Sequence, residues 1–271
     1  MQTDASTKTW AAPTASGRIR RLLRRLGNIA RFGTGEGARE RKRIARDAAR
    51  GAAFESEAWQ RDKDVAQRAY SSYDDYLKHQ ASKLGQIEDR LHETYEADFA
   101  EFRRRFADCE PLREARNVLC LAARIGTEVR ALHDLGYFAV GIDLNPGADN
   151  PCVLKGDFHH LVFPDGVVDA VYCNSLDHAM DLDRLLSEIK RVLRAGGLFI
   201  ADLLQGYDEG FTPGAFESMS WRNRQEFIEK IAELGGFEVV SIQEMGLHRR
   251  DDWTQVVFQK GSQDSKPDTT A

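Results

Sequence analysis

Polar residues that could hold a ligand follow three short apolar segments in the second half of the chain. Asp143 follows the first of them, and a carboxylate at the end of a strand can accept hydrogen bonds from two ribose hydroxyls, which is typical of a site for an adenosine-type cofactor. Asp157 and Phe158 place an acceptor beside an aromatic plane, and Asn174 and Ser175 end the third segment. One acid after a strand is a weak signal, so the prediction depends on the order and spacing of all five residues.

His178 and Asp177 are the candidates for acid–base chemistry, with His178 the stronger of the two. They come just after the third apolar segment, and a neutral imidazole can take a proton from a hydroxyl or a protonated amine. His178 is equally compatible with a residue that fixes the start of a helix or touches the cofactor, and both interpretations stay open. The adjacent pair His159 and His160 lacks a third partner, so the sequence predicts no metal site.

The elements that must position these residues alternate between strands and helices. Seven apolar segments have the character of strands, at 117–123, 137–143, 151–157, 167–174, 198–204, 237–243 and 253–260. Helices between apolar strands require a parallel sheet with helices on both faces, whereas the short connector between the last two strands requires an antiparallel hairpin. The sequence therefore predicts an α/β, Rossmann-like three-layer sandwich with a mostly parallel seven-stranded sheet.

A long segment, 205–221, separates the fifth strand from a helix predicted at 221–234. It contains several glycines and one proline, and it is longer than most loops of compact domains. Loops of this length tend to be functional, so Gln205, Tyr207 and Trp221 are predicted to cover a bound substrate.

Three segments resemble, in this order, successive motifs of the class I S-adenosylmethionine-dependent methyltransferases. They read GIDLNPG, KGDFHHLVFPDGVVDAVYCNSLDH and LSEIKRVLRAGGLFIADLL. In that family an acid ends a strand, a Gly-Asp motif leads to the fourth strand, and a helix ends in two glycines before the fifth strand. The final antiparallel hairpin also fits that family, whereas it does not fit a nicotinamide dehydrogenase, for which the sequence also lacks a G-x-G-x-x-G motif. The resemblance covers roughly 140 residues.

The resemblance implies S-adenosylmethionine as the cofactor and an in-line transfer of its methyl group. By position, Asp143 would hold the ribose hydroxyls, Leu144 would pack on the adenine, and Asp157 would accept from the adenine amino group beside the backbone amide of Phe158. The residues that would line the sulfonium end are Asn174 and Ser175. The acceptor, whether a small molecule, a sugar or a lipid-linked group, is not identified by the resemblance.

The first motif departs from the family pattern. That pattern is acid-x-Gly-x-Gly-x-Gly, and its four positions are here Cys120, Ala122, Arg124 and Gly126. Glycine serves there because the backbone approaches the methionyl group closely and can need a positive φ. Two explanations compete: a catalytically inactive fold kept for binding or scaffolding, or an Arg124 guanidinium that pairs with the methionyl carboxylate. The second is favoured because the other cofactor positions are intact.

Charge divides the chain into parts. Residues 1–50 contain 13 Lys and Arg against 4 Asp and Glu, whereas the whole chain has a net charge of -5. The predicted parts are a basic, partly disordered arm at 1–50, a helical extension or lid at 51–110, the methyltransferase-like domain at 111–261 and a disordered tail at 262–271. In the extension, three closely spaced tyrosines are expected to pack in the core or to form a lid.

Within the arm, residues 18–32 have the pattern of a basic amphipathic helix. Such a helix suits the surface of an anionic membrane, or else packing on the acidic body of the protein itself. An acidic body of this kind disfavours nucleic acid as a partner. Four scattered cysteines, no long apolar run and no secretory signal predict a cytoplasmic protein with reduced thiols, whose membrane contact, if any, is peripheral. The oligomeric state is left open.

Overall fold

The computed structural model describes residues 35–248 and 251–262. The predicted amphipathic helix at 18–32 therefore lies outside the described residues, as does nearly all of the predicted tail. The chain divides into two compact units, one that ends at Ala49 and one that begins at Arg50. None of the helices within the described ranges is both long and apolar enough to cross a membrane.

The elements before the central sheet are mostly helices. In chain order they are α1 (Gly35–Phe54), β1 (Trp59–Arg61), β2 (Val65–Arg68), α2 (Tyr73–Ala81), α3 (Leu84–Glu93) and α4 (Tyr95–Asp108). Ser72 caps the start of α2, because its hydroxyl accepts from the backbone N–H of Asp75 at 3.1 Å.

The α/β part begins with β3. Its elements are β3 (Asn117–Leu121), α5 (Thr127–Asp134), β4 (Phe138–Asp143), β5 (Val153–Lys155), β6 (Val168–Cys173), α6 (Leu182–Val192), β7 (Leu193–Leu203), β8 (Met219–Trp221), α7 (Arg224–Gly235), β9 (Phe237–His248) and β10 (Asp251–Lys260). Asp181 and Asn223 cap α6 and α7 through side-chain hydrogen bonds.

The central sheet has seven strands in the order β5-β4-β3-β6-β7-β10-β9. Strands β5, β4, β3, β6 and β7 are parallel to one another, and β10 pairs antiparallel with both β7 and β9. This confirms the predicted fold, a mostly parallel seven-stranded sheet that ends in an antiparallel hairpin.

Both faces of the sheet are covered. Along β3, Val118 and Cys120 pack into the cluster that contains Leu132 of α5, while the alternate residues Leu119 and Leu121 pack into the opposite cluster with the apolar side of α6. Successive side chains of a strand point to opposite faces, so a strand buried on both faces is apolar throughout. For this reason the short apolar run at β3 could be identified as a buried strand from sequence.

The helical extension predicted at 51–110 also contains two short strands. Strands β1 and β2 form an antiparallel pair there, and β2 also pairs with β8 to give a separate three-stranded sheet. Trp59 and Ala66 are buried in this sheet. The pairing partner lies about 150 residues further along the chain, and no local period can indicate such a contact.

The long segment predicted at 205–221 ends in β8 rather than in a loop. Trp221 is buried, and its ring stacks on Phe227 at 4.2 Å. Its indole N–H donates to the carbonyl of Leu204 at 3.1 Å. The expectation that Trp221 covers a substrate is therefore wrong, because core packing and this hydrogen bond occupy the side chain.

Candidate active site

A small cavity of about 30 Å³ lies at the carboxyl ends of the parallel strands, where an open α/β sheet binds its ligands. The predicted site residues that line it are Ala122, Arg124, Asp143, Leu144, Phe158 and His178. Its other walls come from Asn145 and from Gln80, Lys83 and Leu84 around the junction of α2 and α3. The predicted residues outside this lining are Gly126, Asp157, Asn174, Ser175 and Asp177.

The loop after β3 keeps the backbone of a glycine-rich turn although two of its residues have side chains. Ala122, Arg124 and Gly126 have φ angles of 54°, 44° and 78°, all in the left-handed region. A left-handed conformation costs a residue with a Cβ about 1–2 kcal/mol. At Gly126 a Cβ atom would also meet Cγ2 of Val153 at 2.9 Å. The backbone of the loop is therefore strained at Ala122 and Arg124. Glycine is required at position 126, where a Cβ atom would come too close to Val153.

Asp143 at the end of β4 binds this loop. One carboxylate oxygen accepts from the backbone N–H of Arg124 at 3.0 Å, and the other accepts from the backbone N–H of Asn145 at 2.8 Å. Burial raises the pKa of Asp143 above its ordinary value, although these hydrogen bonds and the charge of Arg124 oppose the shift. A carboxylate has about four acceptor sites, so capacity for two hydroxyls is left.

The side chain of Arg124 lines the cavity. Within the described part of the chain its guanidinium has no hydrogen bond or ion pair of its own, and burial lowers its pKa. Asp143, Asp177 and Glu128 are the nearby carboxyl groups that favour its charge. Arg124 is partly exposed, and a guanidinium without a bonded partner in the protein is free to pair with an anionic ligand.

Glu128 in the first turn of α5 is a residue that the sequence analysis missed. Its exposed fraction is 5%, and burial raises its pKa to about 8. From sequence, an acid in the first turn of a helix is a common exposed feature that interacts with the helix dipole. Only the packing of α5 against the sheet shows that this one is buried.

Asp157 and Phe158 follow β5. Asp157 accepts from the hydroxyl of Tyr73 at 2.6 Å and from the backbone N–H of His159 at 2.9 Å, while the ring of Phe158 lines the cavity. Burial alone would raise the pKa of Asp157, but the hydrogen bonds from His159 and Tyr73 outweigh it and hold the pKa below its ordinary value. The role of Asp157 toward an adenine stays a prediction, since its carboxylate binds α2 in this arrangement.

Asn174 and Ser175 follow β6 without reaching the cavity. The hydroxyl of Ser175 donates to the side-chain carbonyl of Asn174 at 2.9 Å, and Ser175 is buried. This bond fixes the two side chains against each other. Their predicted contact with a sulfonium stays a prediction.

His178 is held by bonds on both ring nitrogens. Nδ1 lies 2.8 Å from the carbonyl of Phe216, and Nε2 lies 2.5 Å from Nζ of Lys83. The hydroxyl of Tyr76 donates to the backbone carbonyl of His178 at 3.1 Å. Burial lowers the pKa of His178 well below its ordinary value, so the imidazole is neutral. A neutral ring whose Nδ1–H donates to a carbonyl has its lone pair on Nε2.

Lys83 and Glu217 are two further titratable residues that sequence reasoning missed at this site. Burial lowers the pKa of Lys83 to about 7, and burial together with the Glu217 carboxylate raises the pKa of Asp177. One oxygen each of Asp177 and Glu217 and one nitrogen of His178 lie within 4.8 Å of one another, a spacing that a metal ion could also use. Neither Lys83 nor Glu217 belongs to a recognisable motif, so no local signal could have identified them.

The family whose sequence model matches this chain is described as "Methyltransferase domain", and the match covers residues 119–201. Among curated proteins, the sterol 24-C-methyltransferase of Aspergillus fumigatus is 49% identical over 47 residues, which is 17% of this chain and 12% of that protein. The sterol 24-C-methyltransferase of Pneumocystis carinii is 31% identical over 105 residues, 34% of this chain and 28% of that protein. The matches thus span less than a third of these relatives.

Solved structures share the fold. The 1,6-didemethyltoxoflavin-N1-methyltransferase of Burkholderia thailandensis, solved with S-adenosylhomocysteine, has a TM-score of 0.58 at 15% identity, with 75% of this chain and 99% of that chain covered. A SAM-dependent methyltransferase from Archaeoglobus fulgidus has a TM-score of 0.51 at 16% identity, with 65% and 98% covered.

The fold and the strand-end site define a class I, Rossmann-like methyltransferase architecture. Residues 119–201 match the methyltransferase-domain family model, and the α/β domain has the fold of S-adenosylmethionine-dependent methyltransferases of known structure.

Proposed function

We propose that the cavity beside the β3 loop binds S-adenosylmethionine and that the protein transfers its methyl group to an acceptor. The observation that carries this proposal is the arrangement of Arg124 and Asp143. The loop keeps the left-handed backbone of a glycine-rich motif, Asp143 lies at its side with spare acceptor capacity, and the guanidinium of Arg124 faces the cavity without a bonded partner among the described residues.

The donors and acceptors of the cavity suit the cofactor. In this proposal the Arg124 guanidinium binds the methionyl carboxylate, Asp143 accepts from the ribose hydroxyls, and Leu144 and Phe158 contact the adenine. The cavity volume of about 30 Å³ is far below the roughly 300 Å³ that a ligand of this size needs. Binding therefore requires the junction of α2 and α3, with Lys83 and Leu84, to move away from the strand ends.

The cofactor supplies the electrophilic methyl group, and the residues of this chain orient the acceptor and exclude water. His178 has a neutral imidazole with a free lone pair on Nε2 once Lys83 withdraws, so it is suited to take a proton from the acceptor. Asp177 is the weaker candidate, because a carboxyl group whose pKa is raised by burial is partly protonated near neutral pH.

Binding of S-adenosylhomocysteine tests the proposal directly. At 100 times its dissociation constant it should add about 2.7 kcal/mol to the free energy of unfolding, whereas NAD should add nothing. Thermal unfolding of the full chain with each ligand measures this. A lack of response to both ligands would favour the alternative, a catalytically inactive methyltransferase fold that binds or scaffolds other molecules.

The matches to the sterol 24-C-methyltransferases are too short to identify the methyl acceptor of this chain. If the segment 18–32 binds anionic membranes, as its sequence predicts, a lipid-linked or glycan-linked acceptor is favoured. Sedimentation of the protein with anionic liposomes, compared between the full chain and a chain without residues 1–33, tests that contact. Equal sedimentation of the two chains would exclude the arm as the membrane contact.

A further inference from the structure

A side chain of the protein itself occupies the part of the cavity next to the candidate base. The ammonium of Lys83, between α2 and α3, lies 2.5 Å from Nε2 of His178. Because Nδ1 of His178 is bound to the carbonyl of Phe216, the nitrogen that faces Lys83 is the one with the lone pair. The base is therefore directed at an amine nitrogen.

An aromatic ring and two carboxyl groups surround this nitrogen. Nζ of Lys83 lies 5.7 Å from the centroid of the Phe216 ring, within the range of a cation–π contact. His79 stacks on the same ring at 4.9 Å and fixes its position. The carboxyl groups of Asp177 and Glu217 both favour the charged form of Lys83.

Among the described residues, no side chain donates a hydrogen bond to the carboxyl group of Asp177. Its exposed fraction is 8%, and the nearest polar side-chain atom recorded for its carboxyl group in the described chain is Nε2 of His178, at 3.9 Å. One oxygen of Glu217 accepts from the backbone N–H of Gly214, so Glu217 is held in place by the loop before β8. The imidazole lone pair contacts this nitrogen directly, the Phe216 ring lies within cation–π range, and the two carboxyl groups act on it through their charge.

This nitrogen lies in the same cavity as the proposed cofactor positions. Lys83 and His178 form one wall, and Asp143, Leu144 and Phe158 form another. A group that replaces the Lys83 ammonium would therefore be next to a bound cofactor, which is the position that an acceptor requires.

We propose that the methyl acceptor is an amine, and that the ammonium of Lys83 occupies the place of the acceptor nitrogen in the closed arrangement. This inference depends on the proposed function. It names the substrate class of the same site, and it makes the α2–α3 junction an internal competitor of the acceptor.

The reaction balances without another reagent. The acceptor ammonium loses a proton to Nε2 of His178, and the freed lone pair of nitrogen forms a bond to the methyl carbon. The bond from that carbon to sulfur breaks, and its electron pair stays on sulfur, which becomes a neutral thioether. The proton then leaves His178 for solvent. The low pKa of Lys83, about 7, shows that burial here favours a neutral and nucleophilic amine.

The test uses the full chain with Lys83→Ala, which removes three carbons and the nitrogen, and n-propylamine, which supplies the same atoms. With S-adenosylmethionine present, the variant should form N-methylpropylamine roughly tenfold or more faster than the wild type. n-Propanol should give no methylated product. Lys83→Met, which fills the space without a charge, should show no gain. Product mass and S-adenosylhomocysteine release are both measured.

The outcomes separate the two proposals. If Lys83→Ala binds S-adenosylhomocysteine but methylates propanol or neither compound, the amine inference fails and the proposed function stands. If neither the wild type nor the variant binds S-adenosylhomocysteine, both fail. Stabilisation of Lys83→Ala by Zn²⁺, together with no propylamine turnover in the absence of Zn²⁺, would identify the cluster as a metal site and overturn the inference. If Lys83→Ala loses cooperative unfolding, Lys83→Ser replaces it, with the same outcomes.

Discussion

The backbone N–H of Arg124 donates to a carboxylate oxygen of Asp143 at 3.0 Å, and this bond joins the loop after β3 to the end of β4. The two strands are adjacent and parallel, so the loop and the acid lie at the same edge of the sheet. The acid therefore fixes the loop as well as offering acceptors to a ligand. A loop held in this way presents the same backbone path before and after a ligand binds.

Replacing Asp143 with Asn should weaken both the loop and the cofactor site. An amide has one oxygen, so one of the two backbone N–H groups at Arg124 and Asn145 would lose its acceptor, at about 1–2 kcal/mol of unfolding free energy. The affinity for S-adenosylhomocysteine should fall about tenfold or more, because a ribose acceptor is lost as well. Urea unfolding and calorimetric titration measure the two effects.

Asp169, near the start of β6, provides a matched control at the amino ends of the parallel strands. Its carboxylate accepts from the backbone N–H groups of Arg116 and Asn117 and from the guanidinium of Arg194. Asp169→Asn should therefore lower stability by a similar amount and leave the affinity for S-adenosylhomocysteine unchanged. Equal losses of affinity in the two variants would mean that Asp143 acts through stability alone.

Replacing Ala122 or Arg124 with glycine should separate the effect of backbone strain on stability from the effect of the Arg124 side chain on ligand affinity. Both Ala122→Gly and Arg124→Gly relieve a left-handed residue with a Cβ, and the gain is partly offset by the freedom of glycine in the unfolded chain. Each variant should be as stable as the wild type or up to about 1 kcal/mol more stable. Only Arg124→Gly should lose affinity for S-adenosylhomocysteine, by about tenfold or more. An unchanged affinity would remove the guanidinium from the cofactor site.

The sheet could be predicted from sequence because its signals are local. The apolar runs at β3, β4 and β6 contribute to the cores on both faces of the sheet, and α5 separates the first two of them. The three-stranded sheet of β1, β2 and β8 could not be predicted. Its strands have three or four residues each, and the contact that stabilises them joins distant parts of the chain.

The candidate site likewise contains residues that could be predicted from sequence and residues that could not. Asp143, Phe158 and His178 follow strands or lie soon after them, and the topology of a parallel sheet is enough to bring them to one edge. Lys83 reaches that edge only through the packing of α2 and α3, and Glu217 reaches it through the loop before β8. Sequence patterns therefore identify the residues at the carboxyl ends of the strands. They do not indicate which residues of other elements pack over those ends.

Glu128 should make the stability of the protein fall as pH rises. Its pKa is raised from 4.5 to about 8 by burial, so between these values the unfolded chain releases a proton that the folded chain keeps. Glu128→Gln cannot titrate and should be more stable than the wild type by on the order of 3 kcal/mol at pH 7. The difference should shrink toward zero below pH 4.5 and level off above about pH 8.

The control for this pH dependence is Glu226, in the first turn of α7. It is paired with Arg222 at 2.7 Å, and hydrogen bonds from Arg222 and Asn223 hold its pKa below the ordinary value. Glu226→Gln should therefore give no stabilisation that grows with pH. Thermal unfolding of both variants from pH 4 to 9 measures the contrast, and a flat difference for Glu128→Gln would show that Glu128 reaches water in the folded protein.

A buried ion pair should couple α4 to the central sheet. The guanidinium of Arg105 donates to Asp202 of β7 at 2.8 Å, and Asp202 also accepts from Tyr172 at 2.7 Å and Gln255 at 3.0 Å. Loss of Arg105 leaves the Asp202 charge buried, and loss of Asp202 leaves Arg105 paired with Glu101 alone, so Asp202→Asn and Arg105→Met should each cost about 3 kcal/mol. The double variant should cost at least about 1 kcal/mol less than the sum, because no lone charge is left. Urea unfolding of all four proteins gives this coupling energy. Strict additivity would mean that each residue is stabilised by its other partners, with Asp202 held by Tyr172 and Gln255 alone.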